Sequence, residues 1–241
     1  MSVHTGKIHS GSAEIYYELY KNDRPKTLVL LHGNAESGKS FTKHIPILSE
    51  YFDLLVVDSR GHGQSSIGDG ELSLNKMAVD LENLFNALQI KKAHILGFSD
   101  GANVAMLFAP QNNDRIDKLV LVGGNLDFSG FDLRTKLLVA AGYFLSWINL
   151  KIDKNNKIQN AYYYLMFKEP RIKTAQINKI QAPTLVMAGN KDMIRPAHTR
   201  LIANSIKNGS LKIYGGDHFF IYREPEEFCR YIIDFLTDEK E

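Results

Sequence analysis

Apolar residues come along this chain in two rhythms. Short unbroken runs stand at Thr27–Leu31 (TLVLL), 53–58 (DLLVVD), Ala93–Phe98 (AHILGF), 118–122 (KLVLV) and 184–188 (TLVMA). Runs of this length without alternation predict strands buried on both faces. Residues 7–20 predict two further strands around Gly11, and 211–214 a last one. Helical spacing fills the intervals. Ser73 can cap a helix whose apolar positions are Leu74, Met77, Leu81, Leu84, Phe85 and Leu88. Segments 40–51 and 101–109 predict helices as well. Pro225 opens a closing helix with Phe228, Tyr231, Ile232, Phe235 and Leu236 turned inward. Strands alternating with helices predict one α/β domain, its mainly parallel sheet covered on both faces.

One interval breaks the alternation. About 60 residues separate the strand ending near Gly123 from the strand at Thr184, far more than an ordinary crossover needs. The interval holds two apolar segments, LLVAAGYFLSWINL (137–150) and AYYYLMF (161–167). The first is 14 residues long, whereas a bilayer span needs about 20. It predicts a buried or lid helix. The expected organisation is therefore a core of residues 1–126 and 182–241 with a helical lid, 127–181, over the carboxyl ends of the strands.

Composition narrows the setting. The 241 residues are 44% hydrophobic, enough for a substantial core, and 29 basic residues against 27 acidic leave a net charge of +2. No block of like charge stands out, so neither nucleic acid nor a membrane is an expected partner. The single cysteine, Cys229, excludes an internal disulfide framework, and no apolar leader is visible at the N-terminus. Both suit a cytoplasmic protein. The histidines and acids show no metal-ligand spacing, so no metal is expected, and no cofactor is implied.

Candidate chemistry is crowded into a few loops, and the first is ambiguous. Gly33-Asn34-Ala35-Glu36-Ser37-Gly38-Lys39-Ser40 fits G-x-x-x-x-G-K-S, the phosphate-cradling P-loop. That pattern should arise by chance in about one chain in a hundred of this length. The run LLVVD (54–58) imitates a Walker B strand, and Asp58-Ser59-Arg60-Gly61 the D-x-x-G of a GTPase. Gly189-Asn190-Lys191-Asp192 misses the guanine-reading N-K-x-D, because its aspartate comes one place early. The D-x-x-G imitation also follows Ser40 by only 18 residues, which leaves little room for the helix and strand that normally intervene.

A second constellation accounts for more. Gly97-Phe98-Ser99-Asp100-Gly101 fits G-x-S-x-G at a strand-to-helix junction. In such a turn the serine is forced into a strained conformation with its hydroxyl exposed, and the glycines remove side chains that would clash. The helix that follows favours developing negative charge at its N-terminus. A serine hydroxyl needs a base, usually oriented by a carboxylate. His218 follows the last strand and Asp192 the one before it. The order Ser99, Asp192, His218 is the nucleophile–acid–histidine order of α/β hydrolases.

Together, LLHGN, DSRGHGQS, GFSDGA, APTLVMAGNKD and GGDH resemble the α/β-hydrolase superfamily over roughly residues 12–237. The resemblance implies that the backbone N–H groups of Asn34 and Asp100 form the oxyanion hole. Gly38-Lys39-Ser40 then merely starts a surface helix. It also implies a serine hydrolase acting on a small carboxylic ester, with the lid aromatics (Phe128, Phe131, Tyr143, Phe144, Trp147 and Tyr162 to Tyr164) suggesting an apolar acyl or alcohol part. A haloalkane dehalogenase would need a carboxylate where Ser99 stands.

Several residues keep two readings. Asp127 could replace Asp192 as the acid, while Asp217 should point away from His218. His32 and His62 are expected to brace loops, His94 to sit in the core, and Cys229 to be inert, one place off the apolar face of its helix. Asp100 is either a carboxylate settled by the helix dipole or a receptor for a cationic substrate group. A slow ligand receptor on the same fold, or a P-loop nucleotide binder, would be the alternative function. Oligomeric state is not readable from these patterns.

Overall fold

From Leu28 to Leu31 every residue is buried, but on alternate sides. Val29 and Leu31 join one hydrophobic core, Leu28 and Leu30 the other. The same division runs through the next strand, with Leu55 and Val57 on one side and Leu54 and Val56 on the other. Two cores separated by a sheet are what doubly buried strands require. In the computed structural model, which describes residues 1–238, eight strands form that sheet. They are β1 (Ser2–Ser10), β2 (Ala13–Lys21), β3 (Thr27–Leu31), β4 (Asp53–Val57), β5 (Ala93–Phe98), β6 (Ile116–Val122), β7 (Thr184–Gly189) and β8 (Gly209–Tyr214), in the order β1-β2-β4-β3-β5-β6-β7-β8. Strands β3 to β8 run parallel, and the β1–β2 hairpin adds antiparallel to β4 at one edge.

The longer helices are α1 (Leu74–Ala87), α2 (Asp100–Phe108), α3 (Leu133–Ile152), α4 (Lys157–Lys168), α5 (Pro196–Ser205) and α6 (Pro225–Thr237). Ser73 caps α1 as expected, its hydroxyl accepting the Asn75 N–H at 3.2 Å. Among the described residues no helix is long and apolar enough to cross a membrane.

Three expectations are corrected. Residues 40–51 do not form one helix. A 3-10 turn at Gly38–Phe41 and a four-residue helix at Ile45–Leu48 replace it. Pro46 has no N–H to donate back across that junction, so the chain re-enters helix only at His44, whose backbone is helical and whose ring Nε2 lies 2.9 Å from the Ile221 carbonyl oxygen. Gly38-Lys39-Ser40 therefore starts a 3-10 turn rather than a surface helix. In α6 the inward face is Phe228, Cys229, Ile232, Ile233 and Leu236, while Tyr231 and Phe235 are only half-buried. Cys229 is thus on the apolar face, not one place from it, and burial pushes its thiol up to about 12. The β1–β2 hairpin is also longer than 7–20, because nine residues of each strand pair from Ser2↔Lys21 to Ser10↔Ala13.

The long interval between β6 and β7 carries α3 and α4. Asp132 caps α3, its carboxylate accepting the Thr135 N–H at 2.6 Å. The helices meet where Gly142 faces Tyr163, so closely that a Cβ there would lie 2.2 Å from the ring. Beside this contact Tyr143 stacks on Phe167 at 4.8 Å. The segment is tied to the core by the Ile172 N–H on the Leu126 carbonyl, 2.8 Å, and by a bridge between Phe131 and Ile194.

Candidate active site

Where β5 turns into α2, Ser99 takes φ 53° and ψ −116°, a conformation that costs a residue with a Cβ on the order of 1–3 kcal/mol. The turn is possible only because its flanks are bare. A Cβ on Gly97 would lie 2.3 Å from the Gly101 carbonyl oxygen, and one on Gly101 2.2 Å from that of Leu31. The Ser99 N–H is anchored on the Val122 carbonyl at 2.7 Å. These contacts fix the hydroxyl at the carboxyl end of the sheet.

His218 reaches Ser99 from the loop after β8. Its Nε2 lies 3.1 Å from Ser99 Oγ and its Nδ1 2.8 Å from Asp192 Oδ1. A carboxylate can only accept, so Nδ1 carries the proton and Nε2 is left to accept from the serine hydroxyl. Asp192 is held in turn. Its Oδ1 accepts the Ile194 N–H at 2.9 Å, and its Oδ2 the Gly189 N–H at 3.4 Å. Phe98 packs on the imidazole at 5.0 Å between centroids. Gly123 makes room for the ring, since a Cβ there would meet His218 Cε1 at 2.6 Å. Chemically, this chain of bonds can draw a proton from a serine hydroxyl and hold the resulting imidazolium.

The other acids stand elsewhere. The Asp127 carboxylate caps the turn at Phe128–Gly130, accepting the Ser129 N–H at 2.6 Å. Asp217 pairs with Arg223 at 2.6 Å. The Asp100 carboxyl, in the first turn of α2, accepts from Asn103 Nδ2 at 3.1 Å, while its other oxygen is covered and lacks a partner among the described residues. Burial lifts it to about 6. It is not among the groups lining the cavity beside Ser99, so a role in binding a substrate cation has no support in the geometry.

Among the described residues the backbone N–H groups of Asn34 and Asp100 have no acceptor. Both stand at the Ser99 end of the sheet, Asn34 in the loop after β3 and Asp100 as the first residue of α2, where an oxyanion-binding pair would have to be. The Asn34 loop is braced from below. His32 donates from Nδ1 to the Gly33 carbonyl at 2.7 Å and accepts the Ser59 N–H at 3.0 Å. Its burial, with His62 beside it, holds the imidazole down at about 3. His62 donates to the Arg60 carbonyl at 2.9 Å and stacks on Tyr162. His94 is buried in β5 against Phe52. All three are neutral structural histidines.

Asp58 decides the fate of the P-loop letters. Its carboxylate accepts the N–H of Gly38 and of Gln64, each at 2.7 Å. The amide that would cradle a phosphate is therefore occupied by an internal acid, and only a four-residue turn follows where a P-loop opens a full helix.

One tie was missed by sequence reasoning. Arg60 and Asp80 form a buried two-pronged pair, with Nε on Oδ2 at 2.8 Å, and Arg60 also reaches the Ser10 carbonyl at 3.1 Å. The signal was an acid at an inward position of α1, between Met77 and Leu81.

A cavity of about 380 Å³ opens onto Ser99 and His218. Its floor is Gly33, Asn34 and Phe98; α4 supplies the roof with Gln159, Tyr162, Tyr163 and Met166. Of the aromatics expected to face a substrate, only Tyr162 and Tyr163 do so. Phe128 and Tyr143 pack around Phe167, and Phe144 and Trp147 face outward. Among the described residues, Glu36 is the one acidic group lining the cavity, and no lysine or arginine lines it. No cluster of three or more metal-ligating side chains is present among the described residues.

Comparison with known proteins agrees with this architecture. Residues 26–150, just over half the chain, match the family model described as alpha/beta hydrolase fold. A candidate carbamate hydrolase, RutD, of Caulobacter sp. (strain K31) is 27% identical, over 96% of this chain and 99% of its own. A 2-hydroxy-6-oxononadienedioate/2-hydroxy-6-oxononatrienedioate hydrolase of Pseudomonas putida is 26% identical, over 95% of this chain and 94% of its own. Among solved structures, a hydrolase from Pseudomonas aeruginosa PA01 superposes with a TM-score of 0.79 at 25% identity, covering 97% of this chain and 98% of that one.

Proposed function

Because the chain belongs to the α/β-hydrolase fold family, and the two relatives described above carry hydrolase names, we propose that it is a serine hydrolase cleaving a small, uncharged carboxylic ester. The observation that carries this reading is the unbroken chain Ser99 Oγ, His218, Asp192, with bonds of 3.1 and 2.8 Å. In the proposed reaction Ser99 Oγ attacks the ester carbonyl while His218 Nε2 takes its proton. Negative charge gathers on the carbonyl oxygen and is met by the N–H groups of Asn34 and Asp100. His218 returns the proton to the departing alcohol, leaving an acyl group on Ser99. Water, activated by the same imidazole, then releases the acid. Asp192 keeps the imidazole in the tautomer the first step needs.

The cavity supports the choice of substrate. Its apolar walls suit a compact acyl or alcohol group. The dicarboxylate that names the Pseudomonas putida relative would find Glu36 here and no cation to balance it. No step calls for a cofactor or metal, and the setting proposed is the cytoplasm, where Cys229 stays a thiol.

The direct test is labelling of the intact protein with a fluorophosphonate, followed by peptide mass mapping and a panel of matched esters. A single adduct on Ser99, absent from Ser99→Ala, together with ester turnover, is the expected result. Labelling without turnover would instead identify a receptor on the same fold. No adduct at Ser99 would remove the serine mechanism.

A further inference from the structure

Helix α3 has its apolar surface on the wrong side for a buried helix. Leu133, Leu137, Leu138, Phe144, Leu145 and Ile148 are all exposed, Leu133 to 73% and the terminal Ile152 to 80%. Their spacing puts them on one continuous face. Of the helix's 20 residues only Val139 and Ser146 are buried. A contiguous apolar face of this length on a water-soluble surface marks a contact with something else.

The charge around it says what. Residues 127–181 contain nine basic side chains against four acidic, a net +5, whereas the rest of the chain carries 20 against 23, a net −3. Between Asp132 and Asp153 there is no acid at all; Lys136 and Lys151 lie along one margin of the apolar face, Arg134 stands at its N-terminal end, and Lys154 and Lys157 follow just beyond. Trp147 stands at its margin, 47% exposed, with the Lys151 ammonium over its ring at 5.3 Å. Two copies pairing through this face would bring their cations together with no acid on the face to answer them. A sheet of anionic headgroups over an acyl layer answers both features at once, taking the leucines inward and the lysines at headgroup level.

Against the expectation, drawn from overall charge, that no membrane is a partner, we propose that α3 is a docking surface for an anionic lipid bilayer, on which the helix lies in the plane of the interface without crossing it. The opposite side of α3 packs on α4, which roofs the Ser99 cavity, so docking places α3 between that roof and the lipid. The proposal stands on α3 alone and does not depend on the chemistry assigned to Ser99.

Trp147 is the chain's single tryptophan, so its emission reports on this face. The experiment mixes the full chain with vesicles of phosphatidylcholine, or of equimolar phosphatidylcholine and phosphatidylglycerol, and reads flotation and emission. Flotation with a blue shift on the anionic vesicles, weakened by salt, is expected. The double variant Leu145→Ser/Ile148→Ser should lower the partition constant at least tenfold, and Lys151→Gln and Lys154→Gln about fivefold each. Both changes lie on exposed residues outside the cavity, so circular dichroism and fluorophosphonate labelling should be unaltered. Three results would overturn the proposal. One is no flotation and an unshifted emission. Another is equal binding to phosphatidylcholine alone, which removes the anionic requirement. The third is a dimeric mass without lipid that Leu145→Ser/Ile148→Ser abolishes, which would assign the face to a second copy.

Discussion

The floor and the roof of the Ser99 cavity are held in place by different forces. On the floor, Ser99, His218, Asp192 and the His32-braced loop are locked by buried hydrogen bonds and by glycines that leave no room for alternatives. The roof rests on ring packing between α3 and α4 and on scattered polar ties, among them Tyr162 Oη to the Gly61 carbonyl at 2.9 Å, Asn34 Nδ2 to the Tyr162 carbonyl at 2.9 Å and Asn160 Nδ2 to Ser146 Oγ at 3.0 Å. Directional bonds fix atoms to within the tolerance that proton transfer needs. Ring packing tolerates exchange of one apolar group for another. For the reaction proposed above, the difference teaches where to look for what: bond-breaking machinery in the floor, substrate choice in the roof.

The comparison can be broken most sharply at the floor. Ser99→Ala should reduce kcat for a neutral ester by about 10⁴-fold or more, and Asp192→Asn, which removes control of the imidazole tautomer, by about 10³–10⁴-fold. Burst kinetics on an activated ester would measure both. If Asp192→Asn retained near-normal turnover, the floor would not be the rigid device described. Next in size is the support beneath it. Arg60→Met leaves Asp80 charged and buried, and should cost about 3–5 kcal/mol of stability in urea unfolding.

The roof should respond more mildly. Tyr162→Phe removes one bond to the Gly61 carbonyl, worth about 1 kcal/mol, and should change KM more than kcat. A large loss of kcat with unchanged KM would mean that the roof takes part in the chemistry.

The smallest effect is in pH. The folded protein holds the Asp100 proton up to about 6, against 3.8 for a free carboxyl. The stability this group contributes is complete below about pH 4 and lost as pH rises through about 6. Five histidines, His32, His44, His62, His94 and His198, are pushed the other way by burial. Their contribution is present above 6.5 and fades in acid, so the net curve falls on the acid side. The difference between Asp100→Asn and the parent isolates the carboxyl. The variant's relative melting temperature should climb between pH 4 and 7. A flat difference would show that the carboxyl is not desolvated in the way its covered oxygen implies.

What could be read in advance follows the same division. The strands, the elbow at Ser99 and the strand-end positions of Asp192 and His218 are legible because glycine spacing and buried apolar runs are local constraints. Asp80 was legible in principle, as an acid on an apolar helix face, but its partner Arg60 lies 20 residues away and only folding joins them. The segment 40–51 misled because periodicity does not register that Pro46 has no N–H with which to close a helical turn. The face of α3 was illegible for a deeper reason. A helix apolar nearly all round looks the same in letters whether it is buried, packed on a partner or bare, and only its place against α4 shows which side is left over.

The positive φ of Ser99 has an implication for engineering and for inheritance. The protein carries backbone strain at the one residue it cannot relax without losing the nucleophile proposed for it. Glycine at that position would relieve the strain, so Ser99→Gly should melt higher than Ser99→Ala while being equally inactive. Selection for heat resistance alone would therefore drift toward erasing the serine, and a thermostable library screened without an activity assay should be enriched in dead enzymes of that one kind.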